Sequence, residues 1–453
     1  MIIETTIGRY KLGKNTSLVL PEKLGEKIEI FFEPPASFEE SLKEILTREI
    51  TYEEIEKSLG KLPSLTLELT QSCNLRCKYC VFGDNYEFFR SHSAKKMSLS
   101  TAKEAIDFLY KHMQAPFRTD RIPAPMTLVF FGGESLLEFD TMMKSVSYAE
   151  NHPNRKFVDL DFQLSTNGIL LDSEKVKWLV DKDFVIYISL DGPESEHDRF
   201  RVFKDGTGSF KKVLENVKFI KREYPEYYSR NVVFLLTVHP YHDFKKTEEF
   251  FLSNESYFNT NNTRIIYLRS FDLKDPELRD ARDKMPRKQV NALQKDKWFY
   301  KKVVMDSIDH VLDSETQFLS LRKNFTRTCF PGGDRLLVNP DGEFHICEKI
   351  NGQFVIGDLK RGFDIPKIKK MFEQWRKLTL KLECWKCDNI YFCPFCFANG
   401  GDDGKFVVEK EECQKQVDLL YHRVYDYLVI KETENEATES NHNLNLSDFL
   451  ESL

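Results

Sequence analysis

A parallel α/β fold, an open sheet or partial barrel, is what this sequence predicts, and three observations predict it. Six strand-like runs alternate with helix-like stretches between residues 65 and 268, the order expected of parallel strands joined by crossover helices. The unusual short motifs, the cysteines of "CNLRCKYC" and then "FFGGES", "STNG" and "SLDGP", each fall at the end of one of those runs. In such folds the loops at the carboxyl ends of the strands carry the chemistry. The pattern also stops on both sides, giving way to short strands and helices before residue 63 and to a cysteine-rich stretch from Cys329. The expected architecture is a partial (β/α)6, TIM-like barrel with an N-terminal winged-helix-like α+β module and a C-terminal cysteine-rich domain.

The first run, "LTLELT" (65–70), alternates as a strand does, and the cysteine loop follows at once. "STAKEAIDFLYKHM" (100–113) reads as a helix with Thr101 and Glu104 at capping-box spacing. Strands at 127–131, 161–166 and 185–190 follow, separated by helices at 138–150 and 173–181. Phe210, Val213, Leu214, Val217 and Ile220 form one helical stripe, and strands at 232–238 and 264–268 complete the series. Ahead of the barrel, runs at 6–12, 17–20 and 27–32 predict three strands, and 38–46 and 52–59 two helices, the second capped by Thr51. The predicted domains are 1–62, the barrel 63–275, a charged helical bridge 276–328, the cysteine-rich domain 329–420, and 421–453, a helix end and an acidic, disordered tail.

A formal charge of −6 over 453 residues gives no global case for nucleic-acid or anionic-membrane binding. The start, "MIIETTIGRYKLGK", has charges within its first apolar stretch and no small-residue cleavage site, so no signal peptide is expected. Apolar runs such as "VVFLLTV" are too short to span a bilayer. The expectation is a soluble, cytoplasmic protein without nucleic-acid or membrane partners.

The chain has ten cysteines, and none lies between Cys80 and Cys329. Structural thiols scatter through cores as small hydrophobes, whereas clustered thiols in a reducing compartment read as metal ligands or catalytic groups. Cys73, Cys77 and Cys80 fall within eight residues. A closed zinc site wants a fourth protein ligand, and neither His92 nor any cysteine lies at zinc-knuckle spacing. A cubane needs a ligand for each of four irons, so three thiols leave one iron open to a chelating small molecule. A zinc or redox loop is the alternative.

This C-x3-C-x2-C loop after the first strand of an α/β barrel closely resembles that of the radical S-adenosylmethionine (SAM) enzymes. The resemblance implies that the open iron binds SAM and that reductive cleavage releases a 5′-deoxyadenosyl radical, with the protein supplying orientation and exclusion of water. It implies that Gly132, Gly133 and Glu134 are the family's GGE motif, holding the SAM amino group, with the glycines admitting a close approach. By position Ser189 and Arg201 match contacts to the SAM carboxylate, Ser165 and Asn167 contacts to the ribose or methionine moiety, and Tyr79 the aromatic beside adenine. An electron donor of flavodoxin or ferredoxin type is implied as well. No general base is assigned, and His197, His239 and His345 read as structural.

Between Cys329 and Cys347 the "NPDG" turn (339–342) predicts a hairpin. "CWKCDNIYFCPFC" (384–396) and Cys413 follow. Paired C-x2-C units are also the mark of zinc ribbons, but seven cysteines do not divide into closed four-ligand sites. The segment resembles the SPASM extension of radical SAM enzymes, which carries two auxiliary [4Fe–4S] clusters. It departs from that pattern in having two residues before Cys396 where the family usually has three. Mapped by the resemblance, Cys384, Cys387, Cys393 and Cys413 ligate one cluster. Cys329, Cys347 and Cys396 ligate the other and leave an iron open, so three clusters use every cysteine. Such an iron invites a substrate thiolate, because metals acidify thiols; water or another side chain could fill it instead.

That arrangement matches the thioether-forming sactipeptide and ranthipeptide maturases. Residues 1–62 have the element order of a precursor-recognition module, which would bind a leader peptide as an added strand, as at "KIEIFF" (27–32); a ligand-free barrel cap is the alternative. The expected substrate is a cysteine-containing ribosomal precursor peptide. Other expectations are C–C crosslinking, epimerisation or sulfatase-type maturation, and, outside catalysis, a zinc-stabilised peptide-binding scaffold.

Overall fold

The computed structural model describes residues 2–5, 8–11, 43–60, 62–83, 86, 91–112, 124–239, 241–268, 293–294, 297–303, 329–348, 354–387, 393, 395–397, 406, 408–414 and 416–417. Strands β1 (Ile2–Thr5) and β2 (Gly8–Lys11) form an antiparallel pair. The strand expected at 6–12 therefore starts at Gly8, and its partner lies ahead of it in residues left unassigned by the sequence pattern. The expected strands at 17–20 and 27–32 lie outside the described residues. So does the start of the helix expected at 38–46, of which 43–47 is helical. Helix α1 (Tyr52–Leu59) carries a full capping box: Thr51 Oγ1 accepts the Glu54 N–H and the Glu54 carboxylate accepts the Thr51 N–H.

Six parallel strands lie side by side in chain order: β3 (Ser64–Thr70), β4 (Ala124–Gly132), β5 (Val158–Thr166), β6 (Val185–Ser189), β7 (Val232–Val238) and β8 (Thr263–Tyr267). They form the partial, open barrel-like sheet that the alternation predicts. In β5 the even-numbered residues Val158 to Thr166 are buried and the odd ones are not, the period of a strand with one face under helices. β3 is buried on both faces, as parallel strands are when covered on each side.

The crossovers are α2 (Leu99–His112), α3 (Phe139–Glu150), α4 (Ser173–Asp181), α5 (Glu194–Phe200), α6 (Phe210–Glu223), α7 (Pro225–Asn231) and α8 (Phe244–Ser253). The cap of α2 is Ser98 and not Thr101: Ser98 Oγ accepts the Thr101 N–H at 3.0 Å, which places Thr101 inside the first turn.

The cysteine-rich segment continues the same sheet. Strand β9 (Leu336–Val338) pairs in parallel with β3, and β10 (Glu343–His345), β11 (Gly357–Asp358) and β12 (Gly362–Phe363) follow antiparallel. The hairpin at "NPDG" forms as expected, with Asn339 Oδ1 accepting the N–H groups of Asp341 and Glu343 and Gly342 at φ 80. Helix α9 (Ile365–Leu382) follows, and its Arg376 bonds the Thr47 carbonyl at 3.1 Å. Of the bridge expected at 276–328, residues 298–303 are helical; the rest, apart from 293–294 and 297, and the tail from 421 lie outside the described residues. Among the described residues no helix is long and apolar enough to cross a membrane.

Candidate active site

The loop leaving β3 holds Cys73, Cys77 and Cys80, and neighbouring strand ends lace it in place. Gly133 N–H bonds Thr70 O at 2.8 Å and Glu134 N–H bonds Ser72 O at 2.9 Å. A Cβ on Gly132 would lie 2.3 Å from Thr70 O, and one on Gly133 2.2 Å from Ser72 O. The two glycines thus admit the cysteine loop's own backbone, where the sequence reading had them admit a ligand. On the other side, Arg76 N–H bonds Val202 O at 2.7 Å and Lys78 N–H bonds Phe200 O at 2.9 Å. The end of α5 therefore straps the loop down.

None of the ten cysteines is in a disulfide, and all are partly buried. Burial pushes the Cys73 and Cys77 thiols up to about 12, with the Arg201 guanidinium the largest influence drawing Cys77 back down. Bare, such thiols stay protonated and inert; a bound cation reverses that. Asn167 reaches into the same loop, its Nδ2 2.7 Å from Asn74 Oδ1 and 3.8 Å from Cys73 Sγ.

Glu134 is buried, and burial raises its pKa. Its Oε1 accepts from Thr166 Oγ1 (2.9 Å) and Leu136 N–H (3.1 Å), and its Oε2 from Asn167 N–H (2.8 Å). The carboxylate first ties the ends of β4 and β5 together, with one lone-pair site left on Oε2 for an ammonium. Ser165 and Ser189 close β5 and β6 on the half-buried face of each strand.

The residue the sequence reading left unassigned is Asp191, in "SLDGP". It is 1% exposed, and three donors converge on it: the Tyr79 hydroxyl, Arg201 Nε at 2.7 Å and Thr237 N–H at 2.9 Å. The Arg201 guanidinium, with the Tyr79 hydroxyl, holds its pKa below the usual range against the burial that would raise it. The Tyr79 ring lies against Phe200 (5.4 Å between centroids) and the Arg201 guanidinium (5.2 Å).

In the C-terminal segment, the thiols of Cys393, Cys387 and Cys413 lie near enough to Cys384 to act with burial in raising it to about 12. Cys396 acts on Cys329 in the same way, and Arg335 sits beside both Cys329 and Cys347. Cys384 thus lies near Cys387, Cys393 and Cys413, Cys329 lies near Cys396, and Cys347 shares Arg335 with Cys329. Thiols are soft donors of the kind that iron–sulfur clusters take.

A buried carboxylate–imidazole group lies one ring away. Glu196 Oε2 is 3.2 Å from His239 Nε2 and 3.5 Å from His242 Nδ1, a set with the composition of a metal site. The tautomers argue otherwise. Tyr241 N–H donates to His239 Nδ1 at 3.2 Å, which places the proton of neutral His239 on Nε2, facing the carboxylate. His239 Nε2 and His242 Nδ1 are both buried and meet no partner in hydrogen-bond geometry among the described residues.

Residues 67–251, from within β3 to within α8, match the model of the Radical SAM superfamily. Over 380 residues the chain is 24% identical to the cysteine-type anaerobic sulfatase-maturating enzyme of Clostridium novyi, a match covering 77% of this chain and 93% of that one. It is 24% identical over 166 residues to the radical SAM cyclopropyl synthase TigE of Paramaledivibacter caminithermalis, 36% of this chain and 33% of that protein. Among solved structures, native anSMEcpe with bound AdoMet shares the fold, with TM-score 0.59 and 20% identity over 81% of this chain and 99% of that one.

Proposed function

We propose that this radical SAM enzyme matures a peptide, closing thioether bonds between a substrate cysteine and a carbon of the same ribosomal precursor. The observation that carries this reading is the cysteine count, since ten thiols cannot give four to each of three cubanes. In this reading Cys73, Cys77 and Cys80 leave an iron for SAM, Cys384, Cys387, Cys393 and Cys413 close one auxiliary cluster, and Cys329, Cys347 and Cys396 leave an iron for the substrate thiolate. When bound, these groups supply a 5′-deoxyadenosyl radical, a thiolate site and an electron acceptor.

The chain's own residues hold and orient. Glu134 Oε2 takes the SAM amino group, Arg201 and Ser189 its carboxylate, Ser165 and Asn167 the ribose or methionine moiety, and Tyr79 packs beside adenine. The crosslink balances: the thiol loses a proton, the carbon loses a hydrogen atom to the deoxyadenosyl group, the S–C bond forms, and one electron is given up. A flavodoxin- or ferredoxin-type donor supplies the electron that cleaves SAM, and the module at 1–62 holds the leader.

The near-full-length likeness to the Clostridium novyi enzyme favours a second reading, sulfatase-type maturation of a protein cysteine. The reconstituted enzyme, SAM and a reductant, given a synthetic cysteine-containing peptide and its Cys→Ser version, separate the two by mass spectrometry. Thioether formation predicts two hydrogens lost per bond, thiols closed to alkylation and an untouched Cys→Ser peptide. A modified Cys→Ser peptide contradicts the crosslink, and loss of the cysteine sulfur favours the second reading.

A further inference from the structure

We propose that Asp191 is a positioning residue for SAM, its buried carboxylate fixing Arg201 and Tyr79 so that the free edge of the guanidinium and the cysteine loop address one ligand. This rests on the reading of Arg201 as the partner of the SAM carboxylate. Asp191 follows β6 directly, Tyr79 stands between Cys77 and Cys80, Arg201 ends α5 and Thr237 lies in β7. One carboxylate thereby joins four segments that meet at the site.

The geometry says which part of Arg201 is left for a ligand. Nε is held by Asp191 at 2.7 Å, and Nη2 lies 3.4 Å from Thr237 Oγ1. Nη1 makes no hydrogen bond among the described residues. With Nε fixed, the plane of the guanidinium is fixed as well, and a planar fork held in place loses little freedom when it meets a carboxylate. Without Asp191, the buried guanidinium would lack its counter-charge and the Tyr79 hydroxyl its acceptor. The Arg201 backbone is held independently, its carbonyl accepting from Ser209 Oγ at 2.8 Å. Loss of Asp191 therefore frees the side chain without freeing the strap.

The test uses the reconstituted holoenzyme and reads SAM affinity by equilibrium binding, with iron per chain and the spectrum of the reduced cluster with and without SAM. Asp191→Asn keeps the shape and removes the charge. It is expected to weaken SAM about ten- to hundredfold, the scale of a lost hydrogen bond to a charged group, with iron unchanged and the SAM-induced spectral change diminished. Arg201→Gln should weaken SAM similarly, and the double variant should bind no more weakly than Arg201→Gln alone, because Asp191 acts through Arg201.

Unchanged affinity in Asp191→Asn, or additive losses in the double variant, overturns the proposal while leaving Arg201 as a SAM contact. Unchanged affinity in Arg201→Gln overturns that contact and the proposal with it. Should Asp191→Asn lose its clusters, Tyr79→Phe decides: it keeps the ion pair and removes one tether, so weaker SAM with full iron supports the proposal and unchanged SAM overturns it.

Discussion

At position 133 the difference between glycine and alanine is one carbon placed 2.2 Å from Ser72 O and 2.6 Å from its carbonyl carbon. Neither atom belongs to a side chain that could swing away, so Gly133→Ala must push the cysteine loop off the end of β4. The expected result is about 1–3 kcal/mol of lost stability, with iron lost selectively from the cluster proposed at Cys73, Cys77 and Cys80, read by melting and iron analysis. The residue scale also shows where sequence reading stops. The cysteines, Gly133 and Arg201 announce themselves by type and spacing, whereas Asp191 does not. Its partners lie 112 residues away at Tyr79 and 46 away at Thr237, and no local pattern encodes a convergence of donors.

Elements were legible wherever one face is uniformly apolar. Helix α4 and strand β7 fall on their expected bounds, 173–181 and 232–238. Helix α8 was not named from sequence because its buried side mixes Phe244 and Phe251 with Thr247 and Glu248. Those two polar residues are explained only by the fold: Thr247 Oγ1 lies 2.9 Å from His242 Nε2, and Glu248 accepts the Gln294 N–H at 3.0 Å.

This buried polar layer sets a pH dependence. Burial pushes His242, and His197 on α5, from 6.5 down to about 4. Below pH 6.5 the unfolded chain takes protons that these folded histidines refuse until about pH 4, so stability falls across that window. Glu196, held low by its histidine partners against burial, acts in the same direction, its contribution being lost as pH falls through its folded value. Denaturant unfolding of the holoenzyme should show a loss of at most about 2 kcal/mol per histidine between pH 7 and 5. His242→Gln should flatten the slope, and an equally steep slope in that variant would contradict the assignment.

On the scale of the whole molecule, a single sheet brings together cysteine groups that the sequence keeps far apart. β9 pairs with β3, so the strand following Cys329 lies beside the strand preceding Cys73. Sequence reading separated a barrel from a cysteine-rich domain because the pattern of each is local. The parallel pairing that makes them continuous spans residues 65 to 338 and leaves no mark in composition. The proposed complement of three cubanes on ten cysteines is open to one direct measurement: iron, sulfide and zinc per chain after anaerobic reconstitution. The comparison is between the wild type and the Cys73/Cys77/Cys80→Ala variant. Three cubanes give about twelve irons, falling to about eight in the variant, with matching sulfide. Zinc at one or two per chain with little iron would contradict that complement, and about eight irons falling to about four would remove one auxiliary cluster.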